Sequence, residues 1–556
     1  MKADLIVVGG GPAGSTLAGL VKKYAPEKKV VLLEKAAGPR HHVGESLLPG
    51  LVPVLKELGV YEKVDAAGFP RKIGANYQWG MGGEVWENDF NDVNVSEMMA
   101  RGGLPEKIEY SWQVRRSKYD EILLQHAESM GVEVIRGTVA TGIIEDEGGR
   151  VAGLKTANGE WRGFVADCSG QNGFLSKFRR IRDYDKNLKN VAGWSYFRGA
   201  EWKYKYSGHP DKTKIFVCSV PEGWFWYIPI DGGVVSVGLV TGVERLKKEG
   251  GDLEALYERA LAACGEIAPL LESAKREENF DGTTESFFTL SDWSYLNVDA
   301  AGPGWLAAGD AAVFVDPILS SGVTLAHLSA QRAAYALLAQ WRDPAGAALV
   351  WEDYGRSCRE SAAQFLALAL FWYGRDRHAG SWWLKAKDVQ RAWLPAEMGD
   401  HTAFITVSAG LTRYYERALS ASRILEEQAP DPKDYPFYVS VLGRDAALES
   451  RASAAVAERP KLLYPRLVET VFLPKPGEGV LQPVQRVRFL KFDAKDAVAD
   501  AGNPRLIVTK WHLALLDGLD EGDWAAAAKA AGAPAWWLDK PARAFLRELA
   551  LHGVLA

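Results

Sequence analysis

The sequence predicts an α/β protein: a parallel sheet layer opens the chain, an antiparallel β layer is inserted into it, and a mainly helical C-terminal region follows. Three observations predict this. An apolar run, a glycine-rich turn and a helical pattern follow one another within the first 24 residues. Segments of period-2 alternation or β-rich composition crowd the middle of the chain, and helical patterns take over from about Ala345.

The first element, Asp4-Leu5-Ile6-Val7-Val8, reads as a buried parallel strand. It runs into Gly9-Gly10-Gly11-Pro12-Ala13-Gly14, and helical patterning continues from Ser15 to Tyr24. Strand, glycine turn and helix in this order form a dinucleotide-binding, Rossmann-like unit. Gly9 permits the tight turn, Gly11 lets backbone approach a pyrophosphate beside Ala13, and Gly14 lets helix and strand pack closely. A second strand, Lys29 to Leu33, ends at Glu34, where a carboxylate can accept hydrogen bonds from ribose hydroxyls. This segment alone suits NAD as well as FAD.

Two distant segments bear on that choice. Phe164-Val-Ala-Asp-Cys-Ser-Gly170 is a strand entering a small-residue turn, and Gly304-Trp-Leu-Ala-Ala-Gly-Asp310 is a strand ending in Gly-Asp. Ala311 to Asp316 and Pro317-Ile-Leu-Ser-Ser-Gly-Val323 then lead into a helix. The second segment resembles the Gly-Asp motif of the FAD-dependent hydroxylase superfamily. The resemblance implies a p-hydroxybenzoate-hydroxylase-like arrangement in which Asp310 holds the ribityl chain and the following helix N-terminus faces the flavin's pyrimidine edge. Gln113-Val-Arg-Arg116, with Tyr119-Asp120 and an amphipathic helix through Ala127, matches the superfamily's arginine beside the cofactor. Arg116 is the candidate.

The β-rich stretches are Asn76 to Trp79, Val191 to Phe197, Lys214 to Val220, Trp224 to Ile230 and Val234 to Val240. They predict an antiparallel substrate-side layer. Within them, Trp224, Trp226, Ile228 and Pro229 fit the WxWxIP pattern of flavin-dependent halogenases, which the chain therefore resembles. Phe69-Pro-Arg-Lys72-Ile-Gly-Ala-Asn-Tyr-Gln-Trp79 resembles the segment carrying that family's essential lysine, just ahead of the first substrate-layer strand, and Lys72 matches it. Arg40-His-His-Val-Gly44-Glu45-Ser46-Leu-Leu-Pro49 resembles the loop beside the isoalloxazine ring. Ser320, Ser321 and Gly322 match the turn that holds the halide. The resemblance runs in register from Met1 to about Ala330.

What it implies is a reaction in which FADH2, O2 and chloride or bromide make hypohalous acid, which Lys72 directs to an electron-rich aromatic substrate. The chain contains one dinucleotide fingerprint, so a separate NAD(P)H-dependent flavin reductase is the expected partner. Tryptophan halogenases carry a glutamate where this chain has Leu319. Asp316 to Val323 is closer to the turn of halogenases that act on phenols, pyrroles or carrier-bound acyl groups, so the expected substrate is a phenol, pyrrole or indole, free or carrier-bound. Asp316 is expected beside the ribityl chain or capping the next helix, and in one branch of the family the matching aspartate bonds covalently to the flavin. The alternative is an FAD-dependent hydroxylase or reductase of the same fold, which leaves Lys72 and the tryptophan motif unexplained.

The expected organisation is a cofactor-binding core over 1–345, with the substrate layer at about 73–115 and 185–300. A helical substrate-covering region follows over 346–430, including the aromatics Phe371, Trp372, Tyr373, Trp382 and Trp383. A winged-helix-like appendage occupies 431–556, with a proline-rich linker at Pro430 to Pro436 and two or three short helices from Leu506. Its acids Asp517, Asp520, Glu521 and Asp523 oppose nucleic-acid binding. So does a net charge of −5 over 556 residues without a basic run. Cys168, Cys218, Cys264 and Cys358 stand far apart in sequence, in neither a metal-ligating nor a disulfide pattern, so no metal is expected. Without a signal-peptide core or a span of about 20 apolar residues, a soluble cytoplasmic protein that does not enter the membrane is expected.

Overall fold

The apolar run at the start of the chain is the centre of the first layer. In the computed structural model, which describes residues 1–79, 83, 85–90, 109–179, 181–185, 188–203, 211–230, 233–291, 294–297, 299–373, 379–390, 400–412, 460–539 and 541–556, strand Lys2–Val8 pairs in parallel with Val30–Glu34 and with Gly159–Asp167. Leu5 sits opposite both Val30 and Phe164. The layer continues outward through Glu133–Arg136 on one side and Trp305–Ala307 on the other. Both faces are covered, which is why these strands read as unbroken apolar runs. Helix Pro12–Tyr24 begins with a proline in its first turn and packs on helix Gly322–Arg342.

The second layer, nine-stranded among the described residues, is a sheet built on Asn190–Arg198, Val234–Gly242, Gly223–Ile230, Lys212–Val220, Arg71–Gln78 and Val85–Asp89, in that spatial order. It is antiparallel, as expected, except that Arg71–Gln78 and Lys212–Val220 run parallel. These two strands are joined by a long excursion through the first layer, and such a connection leaves strand direction free where a hairpin would not. Along Gly223–Ile230 the side chains alternate. Trp224, Trp226 and Ile228 join the main core cluster, while Phe225 and Tyr227 pack in a second cluster with helix Leu253–Ala263. Gly238 lies opposite Trp226, and a Cβ there would come within 2.2 Å of the indole.

The expected helical region contains Ala347–Trp372, Ala379–Gln390 and Asp400–Ser408 among the described residues. The C-terminal appendage differs from its expected outline. Arg466–Lys475 and Val480–Phe489 form a hairpin extended by Arg505–Val508, and four helices follow among the described residues from Lys510 to Leu551. Pro474 and Pro483 hide the hairpin in the sequence, because proline argues against a strand interior. The appendage is tied to helix Ala347–Trp372 by buried charge. Glu360 accepts from Arg486 at 2.7 and 3.1 Å and from Arg505 at 3.3 Å, and the Asp353 carboxylate takes the Phe472 N–H at 3.2 Å. The expected linker at Pro430 to Pro436 lies outside the described residues. Among the described residues, no helix is long and apolar enough to cross a membrane.

Candidate active site

The two layers enclose a cavity of about 800 Å³ that starts at the glycine turn and ends against the tryptophan strand. Gly9, Gly11, Ala13, Glu34, Arg40, Gly44, Glu45, Ser46, Arg116, Asp310, Asp316, Ser320, Ser321, Gly322, Trp224, Trp226 and Ile228 all line it. Gly14, Pro229 and Lys72 do not.

Each glycine of the turn meets a different constraint. Gly9 has φ +105°, and a Cβ there would lie 2.4 Å from the Cys168 carbonyl oxygen. A Cβ on Gly14 would lie 1.9 Å from the Gly9 carbonyl oxygen, so this glycine sets helix–strand packing. Gly11 is the opposite case, since a Cβ there would meet nothing within 4 Å. The open space lies against the start of helix Pro12–Tyr24, which has no side-chain cap and no acid in its first turn. A phosphate fits there by both room and charge. Glu34 is buried at the other side, accepting from Gly10 N at 2.7 Å and from Ala36 N at 2.8 Å. An enclosed run of this shape, with an anion end and a carboxylate end, suits a flavin dinucleotide.

Further along the cavity, Arg116 makes a two-pronged pair with Asp120 at 2.9 and 3.0 Å and donates to the Val43 carbonyl at 2.7 Å. It thereby ties the Arg40 to Pro49 segment to its helix. Burial pushes the Asp310 carboxyl up to about 6, with Arg116 and Arg182 opposing the shift. Glu45 is buried, accepts the Tyr196 hydroxyl at 2.7 Å, and is raised by that burial. His41 bonds the same hydroxyl at 2.7 Å and is held neutral to about 4 by burial and then by Arg116.

Asp316 caps the short 3-10 turn Pro317–Leu319 by accepting from Ile318 N at 3.0 Å. Tyr373 donates to the same carboxylate at 3.0 Å, and Asn190 donates to it at 3.2 Å. The Trp224 indole N–H reaches the Tyr373 oxygen at 3.1 Å. Burial again lifts the Asp316 carboxyl to about 6. Ser320 follows at φ +55°, a left-handed conformation rare for a non-glycine residue, and Ser321 precedes helix Gly322–Arg342 without capping it through its side chain. The aromatic group of the helical region is mostly core, as the contacts of Trp372 with Tyr77, Trp86 and Phe404 show. Tyr373 is hydrogen-bonded to two cavity-lining side chains, Asp316 and Trp224.

Lys72 is placed differently from the sequence expectation. It lies inside strand Arg71–Gln78 rather than ahead of it, and only 1% of it is exposed. Its amine donates to Ser46 Oγ at 2.7 Å, so it stands one residue behind the cavity wall. A register shift explains its aim. Thr213 pairs with Lys72 but Lys214 pairs with Gly74, so Ile73 is an extra residue in the strand. A bulge of this kind redirects the side chain beside it. Burial alone lowers the Lys72 amine to about 7.

Sequence reasoning missed Asn190, Tyr196 and His41 as individual partners, because each bonds a residue far away in sequence, although His41 lies within the Arg40 to Pro49 segment. It also separated two cysteines that the fold unites, since Cys218 and Cys264 have their sulfurs 3.8 Å apart.

The tryptophan halogenase family profile matches residues 4–102 and 91–419. A tryptophan 2-halogenase from Chondromyces crocatus is 37% identical over 341 residues, covering 59% of this chain and 60% of that protein. A 1H-pyrrole-2-carbonyl-(peptidyl-carrier protein) chlorinase from Pseudomonas fluorescens is 33% identical over 341 residues, covering 59% of this chain and 74% of that protein. The chain thus spans less than two thirds of the length of the Chondromyces relative. Among solved structures, the myxobacterial chondrochloren halogenase superposes with a TM-score of 0.60 at 30% identity, over 68% of this chain and 84% of that one. The flavin-dependent halogenase CmlS superposes with a TM-score of 0.69 at 24% identity, over 100% of this chain and 96% of that one, which shows a shared fold that includes the appendage.

Proposed function

The chain belongs to the tryptophan halogenase family of flavin-dependent halogenases, and on that premise we propose that it halogenates an electron-rich aromatic ring with hypohalous acid directed by Lys72. Bound as FADH2, the cofactor would supply two of the four electrons that O2 takes up and the chloride or bromide the other two, giving hypohalous acid and water. The observation that carries the reading is the lysine itself: a fully buried amine with no carboxylate partner among the described residues, hydrogen-bonded to a serine of the cavity wall.

The roles follow from position. Gly9, Gly11, Ala13 and Gly14 receive the pyrophosphate at the start of their helix, and Glu34 takes the ribose in place of its present backbone donors. Arg40, Gly44, Glu45, Ser46 and Arg116 line the flavin side, with Asp310 along the ribityl chain and Asp316 shaping the turn that follows it. Ser321 and Gly322 offer backbone donors at the positive end of a 21-residue helix, which suits a halide, while Ser320, whose N–H is held by the Pro317 carbonyl at 2.9 Å, shapes the turn beside them. The halogen then replaces a ring hydrogen, and the oxygen of the hypohalous acid leaves as water. A lysine that burial keeps near neutrality at pH 7 can hydrogen-bond that acid without being fully committed to its charged form.

The wall of Trp224, Trp226 and Trp194 offers apolar surface to a flat ring. Leu319 is buried where a carboxylate would aim at free tryptophan, so a phenol, pyrrole or indole, free or carrier-bound, is the proposed substrate. One relative is named for tryptophan and another for a carrier-bound pyrrole, and both rings fall within that class. Electrons come from a separate NAD(P)H-dependent flavin reductase in the cytoplasm. Lys72→Ala tests the assignment: the variant binds FAD and consumes FADH2 but gives no halogenated product, and normal halogenation by it would refute the role of Lys72.

A further inference from the structure

Lys72 and Ser46 belong to a patch of four side chains. Lys72 sits directly opposite Ser111 across one strand pair, and Ser46 sits directly opposite Gln113 across a separate bridge. Directly opposed residues share a face, as do residues two apart on an extended segment. Ser111 and Gln113 therefore lie on one face between Lys72 and Ser46, whose 2.7 Å hydrogen bond spans them. Both are fully buried. The Ser111 hydroxyl and both ends of the Gln113 amide have no partner among the described residues. The Phe90 ring also lies over the lysine, its centre 5.7 Å from the amine.

Three unpaired polar atoms at one buried spot cost free energy unless something completes them. An amide with both ends open asks for a molecule that donates and accepts through one small group, and a hydroxyl is such a group. We propose that Ser111 and Gln113 hold the hypohalous acid against the Lys72 amine. This rests on the halogenase reading above. The acid is held by hydrogen bonds only: its O–H donates to Gln113 Oε1, and its oxygen accepts from Gln113 Nε2 or the Ser111 hydroxyl. No bond is made until the ring attacks the halogen. The cradle explains how an oxidant passes Ser46 and stays beside Lys72 rather than diffusing back to the cavity.

The test compares wild type with Ser111→Ala, Gln113→Leu and Gln113→Met, given FADH2, O2, bromide and either indole, which has no hydroxyl, or phenol, which has one. Halogenated indole is measured together with free hypohalous acid captured by a dimedone trap. The ratio of trapped halogen to haloindole is expected to rise about five- to tenfold in the variants, the effect of one lost hydrogen bond to a held molecule, and to return towards the wild-type ratio in Ser111→Thr. A second readout needs no flavin. Acylation of Lys72 against pH, followed by peptide mass, should have its midpoint at lower pH in Gln113→Leu, because a polar neighbour of the ammonium is lost. An unchanged ratio or an unchanged midpoint in the folded variants overturns the cradle alone. A defect confined to phenols also overturns it and assigns the two residues to the substrate hydroxyl. If wild type yields neither trapped halogen nor haloindole, the halogenase reading falls and the cradle with it.

Discussion

Replacing Lys72 by methionine should stabilise the protein while abolishing halogenation. The amine is 1% exposed and burial lowers it from 10.5 to about 7. An unfolded lysine takes up its proton below about 10.4, whereas the folded one does so only below about 7. Between those values the unfolded chain binds more protons, so this group makes stability rise with pH across the window, and its full cost is felt below it. At about 1.4 kcal/mol per pH unit the gap corresponds to roughly 4 to 5 kcal/mol as an upper bound. Losing the Ser46 hydrogen bond returns about 1 kcal/mol. Lys72→Met of the flavin-free protein should therefore be more stable than wild type by roughly 3 kcal/mol at pH 6.5, with the advantage fading towards pH 10. Urea unfolding of both proteins at pH 6.5, 8 and 9.5 measures it. A variant less stable than wild type at pH 6.5, or a difference that does not vary with pH, would refute the account of the buried amine.

Other perturbations separate cofactor binding from folding. Gly11→Ala adds a Cβ to open space and should fold normally yet bind FAD at least about tenfold more weakly, whereas Gly14→Ala should fail to fold because its Cβ meets the Gly9 carbonyl. Equilibrium flavin binding and circular dichroism distinguish the two. Tyr373→Phe removes a donor that lowers the Asp316 carboxyl, so Asp316 should titrate higher and the acid limb of the halogenation–pH profile should move to higher pH. Arg486→Met removes the arginine shared by Glu360 and Glu469 and leaves each with one partner, Arg505 and Arg488; it should destabilise in denaturant melts by less than the about 3 to 5 kcal/mol of a fully unpaired buried charge.

Much of the frame is legible in the sequence because its signals are local. The buried parallel strands are continuous apolar runs, the glycine turn has fixed spacing, and Trp224, Trp226 and Ile228 keep period 2, so the fold and the proposed cofactor end can be read from them. The substrate end is less legible. Arg71 and Lys72 follow a proline and carry charge, so nothing local marks them as the start of a buried strand, and the bulge at Ile73 that aims Lys72 exists only in the pairing with Thr213 and Lys214. The Asp316–Tyr373 contact joins residues 57 apart. Ser111 and Gln113 look like ordinary strand polars until their neighbours cross from two other segments. The appendage hairpin is obscured by its own prolines, whereas the short helices after it are legible from Leu506 onward.

The central claim is that a lysine behind the cavity wall delivers halogen to an aromatic ring. Mass spectrometry of products from a phenol, pyrrole and indole panel, incubated with FAD, a flavin reductase and chloride or bromide, tests it most directly. Products that carry the halogen isotope pattern with wild type and lack it with Lys72→Ala are predicted. Oxygenated products without halogen would contradict the claim and favour a flavin hydroxylase of the same fold.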